Sequence, residues 1–140
     1  MRLVIDSSIT LSWYFEDEIT DASDAVLDRV GEEGAIVPSL WRFEVANGLL
    51  IAARRKRINS AYCDKVLARL AQLDIVTDPE SDAQVWSGST RLAYRHSLTV
   101  YDAAYLELAQ RRRAELATLD AALIRAARAE STPVVGMSQG

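Results

Sequence analysis

Four carboxylates in this chain of 140 residues stand where an acidic side chain can do chemistry. Asp6 closes the apolar run in Val4-Ile5-Asp6-Ser7-Ser8, and Asp120 follows another in Ala117-Thr118-Leu119-Asp120. Asp102 opens a helical stretch in Thr99-Val100-Tyr101-Asp102. Glu44 sits inside a helical stretch whose i−4, i+4 and i+7 positions, Leu40, Gly48 and Ile51, form a face with no other charge; Asn47 is polar but cannot neutralise it. The three aspartates also have a plain structural reading. Asp before a helix is a good N-cap, and Thr99 to Asp102 has the spacing of a capping box. Glu44 lacks such a reading, because a carboxylate on an apolar helix face is costly to bury unless something pairs with it.

Taken jointly, the two strand-end aspartates, the helix-opening aspartate and the helical glutamate can point into one crevice, where four carboxylates would repel one another. A divalent cation relieves that repulsion. One cysteine, Cys63, and one histidine, His96, exclude an intrachain disulfide and a Cys/His zinc site, so any metal ligands are oxygens. Mg2+ or Mn2+ suits a few carboxylates plus substrate phosphate, and such a site activates water for phosphodiester displacement. The hydroxyls of Ser7, Ser8 and Thr118 flank the aspartates; they read either as turn and cap hydroxyls or as groups that orient a carboxylate or a bound water.

The elements that must hold these residues read as short strands alternating with longer helices. Strands are predicted at 2–6, 34–38, 74–77 and 115–118, with a short fifth at 133–135. Helices are predicted over 7–15, 21–32, 40–57, 61–73 behind an Asn59-Ser60 cap, 81–96, 100–112 and 121–130, and the prolines Pro38, Pro79 and Pro133 fall between segments. Parallel strands need crossover helices, so the fold class is α/β, a three-layer α/β/α sandwich around a parallel sheet of four to five short strands. Sites in such sheets form beyond the carboxyl ends of the strands, where Asp6 and Asp120 lie. The length suits one domain over 1–140, and an apolar fraction of 49% with 26% charged residues is ordinary for a globular chain.

The ordered set Asp6-Ser7-Ser8, Phe43-Glu44-Val45-Ala46-Asn47, Leu98-Thr99-Val100-Tyr101-Asp102-Ala103-Ala104-Tyr105 and Thr118-Leu119-Asp120 resembles the motifs of PIN-domain ribonucleases, and among them the VapC-like toxins of type II toxin-antitoxin pairs. The resemblance runs over essentially the whole chain. It implies a PIN-like sandwich and a metal-dependent endoribonuclease toxin. It also implies an acidic Mg2+ or Mn2+ site of Asp6, Glu44, Asp102 and Asp120, with Thr118 as an accessory hydroxyl. The partners it implies are a second copy, held through helices as a homodimer, and a small VapB-like antitoxin whose tail occupies the acidic groove.

The charge balance of 20 acidic to 16 basic residues, net −4, argues against coating nucleic acid through bulk positive charge, so any RNA contact is local. Two basic runs are candidates, Arg54-Arg55-Lys56-Arg57 and Arg111-Arg112-Arg113, both at helix ends where a favourable dipole interaction is the alternative. His96 reads as a surface or capping residue, and Trp41, Trp86 and Tyr105 as core or interface aromatics. Trp13-Tyr14-Phe15 reads as packing under a loop or as a platform for bases. Two rival functions stay open. One is a phosphotransfer domain of haloacid-dehalogenase or receiver type, which needs a second acid beside the strand-end Asp where this chain has Ser7 and Ser8. The other is an acidic pocket that binds a basic peptide and cuts nothing. The opening residues lack the long apolar stretch of a signal peptide and no apolar run nears the roughly 18 residues of a membrane span, so a cytoplasmic protein is expected.

Overall fold

The computed structural model describes residues 2–137. The strands β1 (Leu3–Ile5), β2 (Ala35–Val37), β3 (Ile75–Thr77), β4 (Leu116–Ala117) and β5 (Val134–Val135) form a parallel sheet of order β3-β2-β1-β4-β5. In register, Val4 pairs with Ile36 on one side and with Leu116 on the other. Consecutive strand residues face opposite sides of a sheet, yet every residue of β1 and β2 is buried. Helices therefore cover both faces, as a three-layer α/β/α sandwich requires, and this is why these strands are apolar runs and not alternating ones.

The helices are α1 (Ser7–Ser12), α2 (Asp21–Glu33), α3 (Leu40–Arg54), α4 (Ser60–Ala71), α5 (Ser81–Gln84), α6 (Thr90–His96), α7 (Val100–Arg112) and α8 (Ala121–Ala129). Their starts follow local chemistry: Thr20 and Ser23 make a capping box on α2, and Asn59 Oδ1 accepts from Tyr62 N at 2.8 Å on α4. The central helix is α7, whose residues from Ala103 to Ala109 are all buried. Among the described residues no helix is long and apolar enough to cross a membrane.

Three helix expectations are corrected. The helix expected over 7–15 stops at Ser12, because Trp13 and Phe15 turn into the core and Trp13 Nε1 donates to Ser23 O at 2.9 Å. The helix expected over 40–57 stops at Arg54, and Lys56 takes a positive φ of 61° as the chain turns away. The helix expected over 81–96 is broken by a π turn at Val85–Ser89, where Thr90 Oγ1 donates to Val85 O at 2.6 Å. Trp86 lies on that turn and is 94% exposed, so it is not a core aromatic, whereas Trp41 and Tyr105 are.

Candidate active site

The strand order reverses its direction of winding between β1 and β4, the crevice where an open parallel sheet binds ligands. Asp6 leaves β1 and the Thr118-Leu119-Asp120 segment leaves β4 on the two sides of it. Asp6 is buried; its Oδ1 accepts from Ile9 N at 3.0 Å and Ser8 Oγ at 2.7 Å, and its Oδ2 accepts from Thr118 Oγ1 at 2.5 Å. Each of those hydroxyls in turn accepts a backbone N–H of the β4–α8 connection, Leu119 N to Ser8 Oγ at 2.9 Å and Asp120 N to Thr118 Oγ1 at 3.0 Å. The amides thus leave the hydroxyl protons for Asp6, and the web ties the two loops together. Asp6 caps α1 and Asp120 caps α8 by accepting from Leu123 N at 2.8 Å. Capping and clustering coexist, because a carboxylate has more lone pairs than a cap uses.

Glu44 is delivered by α3, which packs on α1 where Gly48, one turn further, faces Leu11; a Cβ on Gly48 would collide with Leu11 Cδ1. Glu44 Oε1 accepts from Tyr105 Oη at 2.5 Å and from Ser7 Oγ at 3.4 Å. Asp102 stands on the first turn of α7, where Thr99 Oγ1 accepts from Asp102 N at 3.1 Å. Only this half of the expected capping box is made, so the cap does not need the Asp102 carboxylate.

Burial pushes Asp6 up to about 6 against the lowering effect of its hydrogen bonds, and the charge of Asp102 adds to the rise. Burial also raises Glu44 and Asp102, with the charge of Asp102 adding to the first and that of Asp120 to the second. Asp102 therefore links the four electrostatically. Burial, and after it the hydrogen bond to Glu44, lift the Tyr105 phenol far above its ordinary range, so at neutral pH it is a donor. No lysine or arginine pairs with any of the four carboxylates among the described residues, of which Asp6 is buried and the other three half-buried, while Asp78 and Glu107, buried like Asp6, both pair with Arg111. An all-oxygen, uncompensated donor set suits a hard divalent cation. As the side chains stand, no three His, Cys, Asp or Glu residues among the described residues are placed to enclose one.

The PIN-domain family pattern matches residues 3–129. This chain belongs to the PIN-domain family. Ribonuclease VapC3 of Pyrobaculum aerophilum is 32% identical to this PIN domain over 120 residues, 86% of this chain and 90% of VapC3. Two solved structures share the fold. PAE2754 from Pyrobaculum aerophilum superposes with a TM-score of 0.62 at 23% identity over 90% of this chain and 84% of its own. FitAcB from Neisseria gonorrhoeae does so with 0.63 at 18% identity over 94% and 95%. Family membership sets aside the phosphotransfer alternative; a receiver-type sheet would also run in the order 2-1-3-4-5.

The basic candidates of this PIN domain divide into two groups. Arg111 pairs with Asp78 at 2.7 Å, Glu107 at 2.8 Å and Glu80 at 3.1 Å, and Arg112 with Asp78 at 2.6 Å. Arg57 pairs with Asp17 at 3.0 Å and Glu18 at 3.1 Å and lies 4.5 Å over the Phe15 ring. Arg54, Arg55, Lys56 and Arg113 are exposed and have no carboxylate partner among the described residues. The aromatic run packs beneath its loop, with Trp13 and Phe15 buried. His96 Nε2 lies 2.6 Å from Glu130 Oε2, and no hydrogen bond joins it to any of the four carboxylates. Tyr105 is the contact that sequence reasoning missed: its helical spacing marks a core ring, and nothing local shows that it reaches Glu44.

Proposed function

We propose that this PIN domain is a ribonuclease that cleaves RNA phosphodiester bonds at the Asp6, Glu44, Asp102 and Asp120 cluster, with Mg2+ or Mn2+ as its cofactor. The observation that carries the reading is uncompensated charge, since Asp6, Glu44 and Asp102 are raised by burial and by neighbouring carboxylates of the set while Asp78 and Glu107, the acids buried like Asp6 among the described residues, each pair with an arginine. The similarity to Ribonuclease VapC3 supports RNA as the substrate. When bound, the ion supplies positive charge to the scissile phosphate and makes water a better nucleophile. The chain's own residues hold the ligands: Ser8 and Thr118 orient Asp6, Ser7 and Tyr105 orient Glu44, and the lone pairs left over serve the ion. Arg54, Arg55, Lys56 and Arg113 supply local phosphate contacts, since they are exposed and unclaimed by carboxylates among the described residues.

A VapB-like antitoxin neutralises the enzyme by covering the acidic groove, and two copies associate as a homodimer; the exposed Phe43, Trp86, Tyr94 and Tyr101 supply apolar side chains for such contacts. The test is RNA cleavage by the wild type in Mg2+ or Mn2+, in EDTA, and by Asp102→Asn. Cleavage that needs the ion and fails in Asp102→Asn supports the reading. Binding without cleavage in either metal would leave the non-enzymatic acidic pocket as the answer. Sedimentation of the purified protein tests the dimer, and co-purification with the product of an adjacent gene tests the antitoxin.

A further inference from the structure

We infer that Tyr105 is a positioning residue of this site, its phenol fixing the Glu44 carboxylate so that one oxygen, Oε2, is kept for a divalent cation. The inference rests on the metal-dependent reading above. Tyr105 is 1% exposed, in the middle of the core helix α7, and its Oη donates to Glu44 Oε1 at 2.5 Å. Ser7 Oγ donates to the same oxygen at 3.4 Å, and among the described residues Oε2 has no protein donor. Two hydroxyls from α1 and α7 therefore converge on one oxygen and spare the other. The bond also spans α7 and α3, and α7 carries Asp102 three residues before Tyr105, so one contact sets the carboxylates of two helices in relation to each other.

Packing alone does not explain the hydroxyl. A phenylalanine would fill the same core volume, and a buried phenol costs desolvation unless it finds a partner. Here the partner is a carboxylate of the acidic cluster rather than one of the many backbone carbonyls of the core. Groups that hydrogen-bond a metal ligand tune its grip, and their loss costs about 10- to 100-fold in affinity or activity.

The test is Mn2+ affinity of the RNA-free protein by titration calorimetry, with melting in EDTA as a check on folding. Tyr105→Phe should weaken Mn2+ about tenfold. Its half-saturating Mn2+ concentration for RNA cleavage should rise by more than its kcat at saturating Mn2+ falls. In a Glu44→Gln background the same substitution should change Mn2+ affinity no further, because the group it positions is already gone. Ser7→Ala, which removes the longer bond to the same oxygen, should act in the same direction and more weakly. Wild-type Mn2+ affinity in Tyr105→Phe overturns the inference, as does an equal loss with and without Glu44, which would mark a packing effect. Should Tyr105→Phe fail to fold, unchanged affinity in Ser7→Ala overturns it instead. If the wild type and Asp102→Asn bind Mn2+ alike, the metal reading itself fails and the inference with it; a Mn2+ response lost in Asp102→Asn and kept intact in Tyr105→Phe removes the inference alone.

Discussion

Asp6 leaves β1 and Asp78 leaves β3, two aspartates at the carboxyl ends of parallel strands in one sheet, 4% and 3% exposed. Each accepts from a nearby serine at 2.7 Å, Ser8 in one case and Ser81 in the other. Burial raises both carboxyls. At Asp78 the guanidinium groups of Arg111 and Arg112, with Ser81, outweigh burial and hold the carboxyl well below its usual range. At Asp6 only hydroxyls and an amide answer, burial wins, and the carboxyl rises to about 6. The difference lies in who supplies the counter-charge: Asp78 is neutralised within the chain, whereas Asp6 is left uncompensated, and on the proposed function that is where a cation would bind.

The sharpest break of this comparison is Asp78→Ala. Removing the shared partner of Arg111 and Arg112 should destabilise the fold by about 3–5 kcal/mol and lower the melting temperature by roughly 10 °C or more, with cleavage per folded molecule retained. A loss well under 1 kcal/mol in denaturant melts would mean that the pairing is not what holds this end of the sheet. Asp102→Asn should do the converse, lowering RNA cleavage by on the order of 100-fold, about 2.7 kcal/mol, with an unchanged circular-dichroism spectrum. Wild-type turnover in that variant would take Asp102 out of the chemistry.

The two aspartates also predict opposite responses to pH. Between its unfolded value of 3.8 and its folded value of about 6, Asp6 holds a proton in the native state that the unfolded chain has lost, so metal-free stability falls as pH rises through that window. The decline across the whole window amounts to about 3 kcal/mol at most, of which roughly 1.4 kcal/mol falls between pH 5 and pH 7.5, readable as urea melts in EDTA at those two values. Mg2+ should flatten the decline, and Asp6→Asn should remove its own share of it. Asp78 and Glu130, whose carboxyls are held low, act the other way: their contribution is full above about pH 4.5 and is lost as pH falls below it. A flat profile from pH 5 to 7.5 without metal would dissolve the contrast at Asp6.

The smallest effect separates the two kinds of arginine. Replacing both Arg54 and Arg55 with alanine should weaken RNA binding and reduce its salt slope by up to about two, with little change in stability. Arg112→Ala should leave the slope as it is and lower stability instead. An unchanged slope in the Arg54/Arg55 variant would make that run a solvated helix end.

The chain by itself determined the parallel sheet and the places of the candidate carboxylates, because both are written in local patterns. All five strands fall inside the ranges expected from short apolar runs bounded by helices and prolines, and a residue leaving such a strand is known once the strand is known. Only the tertiary structure decided which charges are spoken for. Arg54 and Arg112 look alike as basic residues at helix ends, and Asp6 and Asp78 look alike at strand ends; their partners lie on segments brought together by the β3-β2-β1-β4-β5 order. The same holds for the Tyr105 bond to Glu44, for the π turn inside 81–96 and for the exposure of Trp86. Helical period shows which face a residue occupies, but contacts between distant segments depend on how the layers stack around the sheet, and no local spacing encodes that.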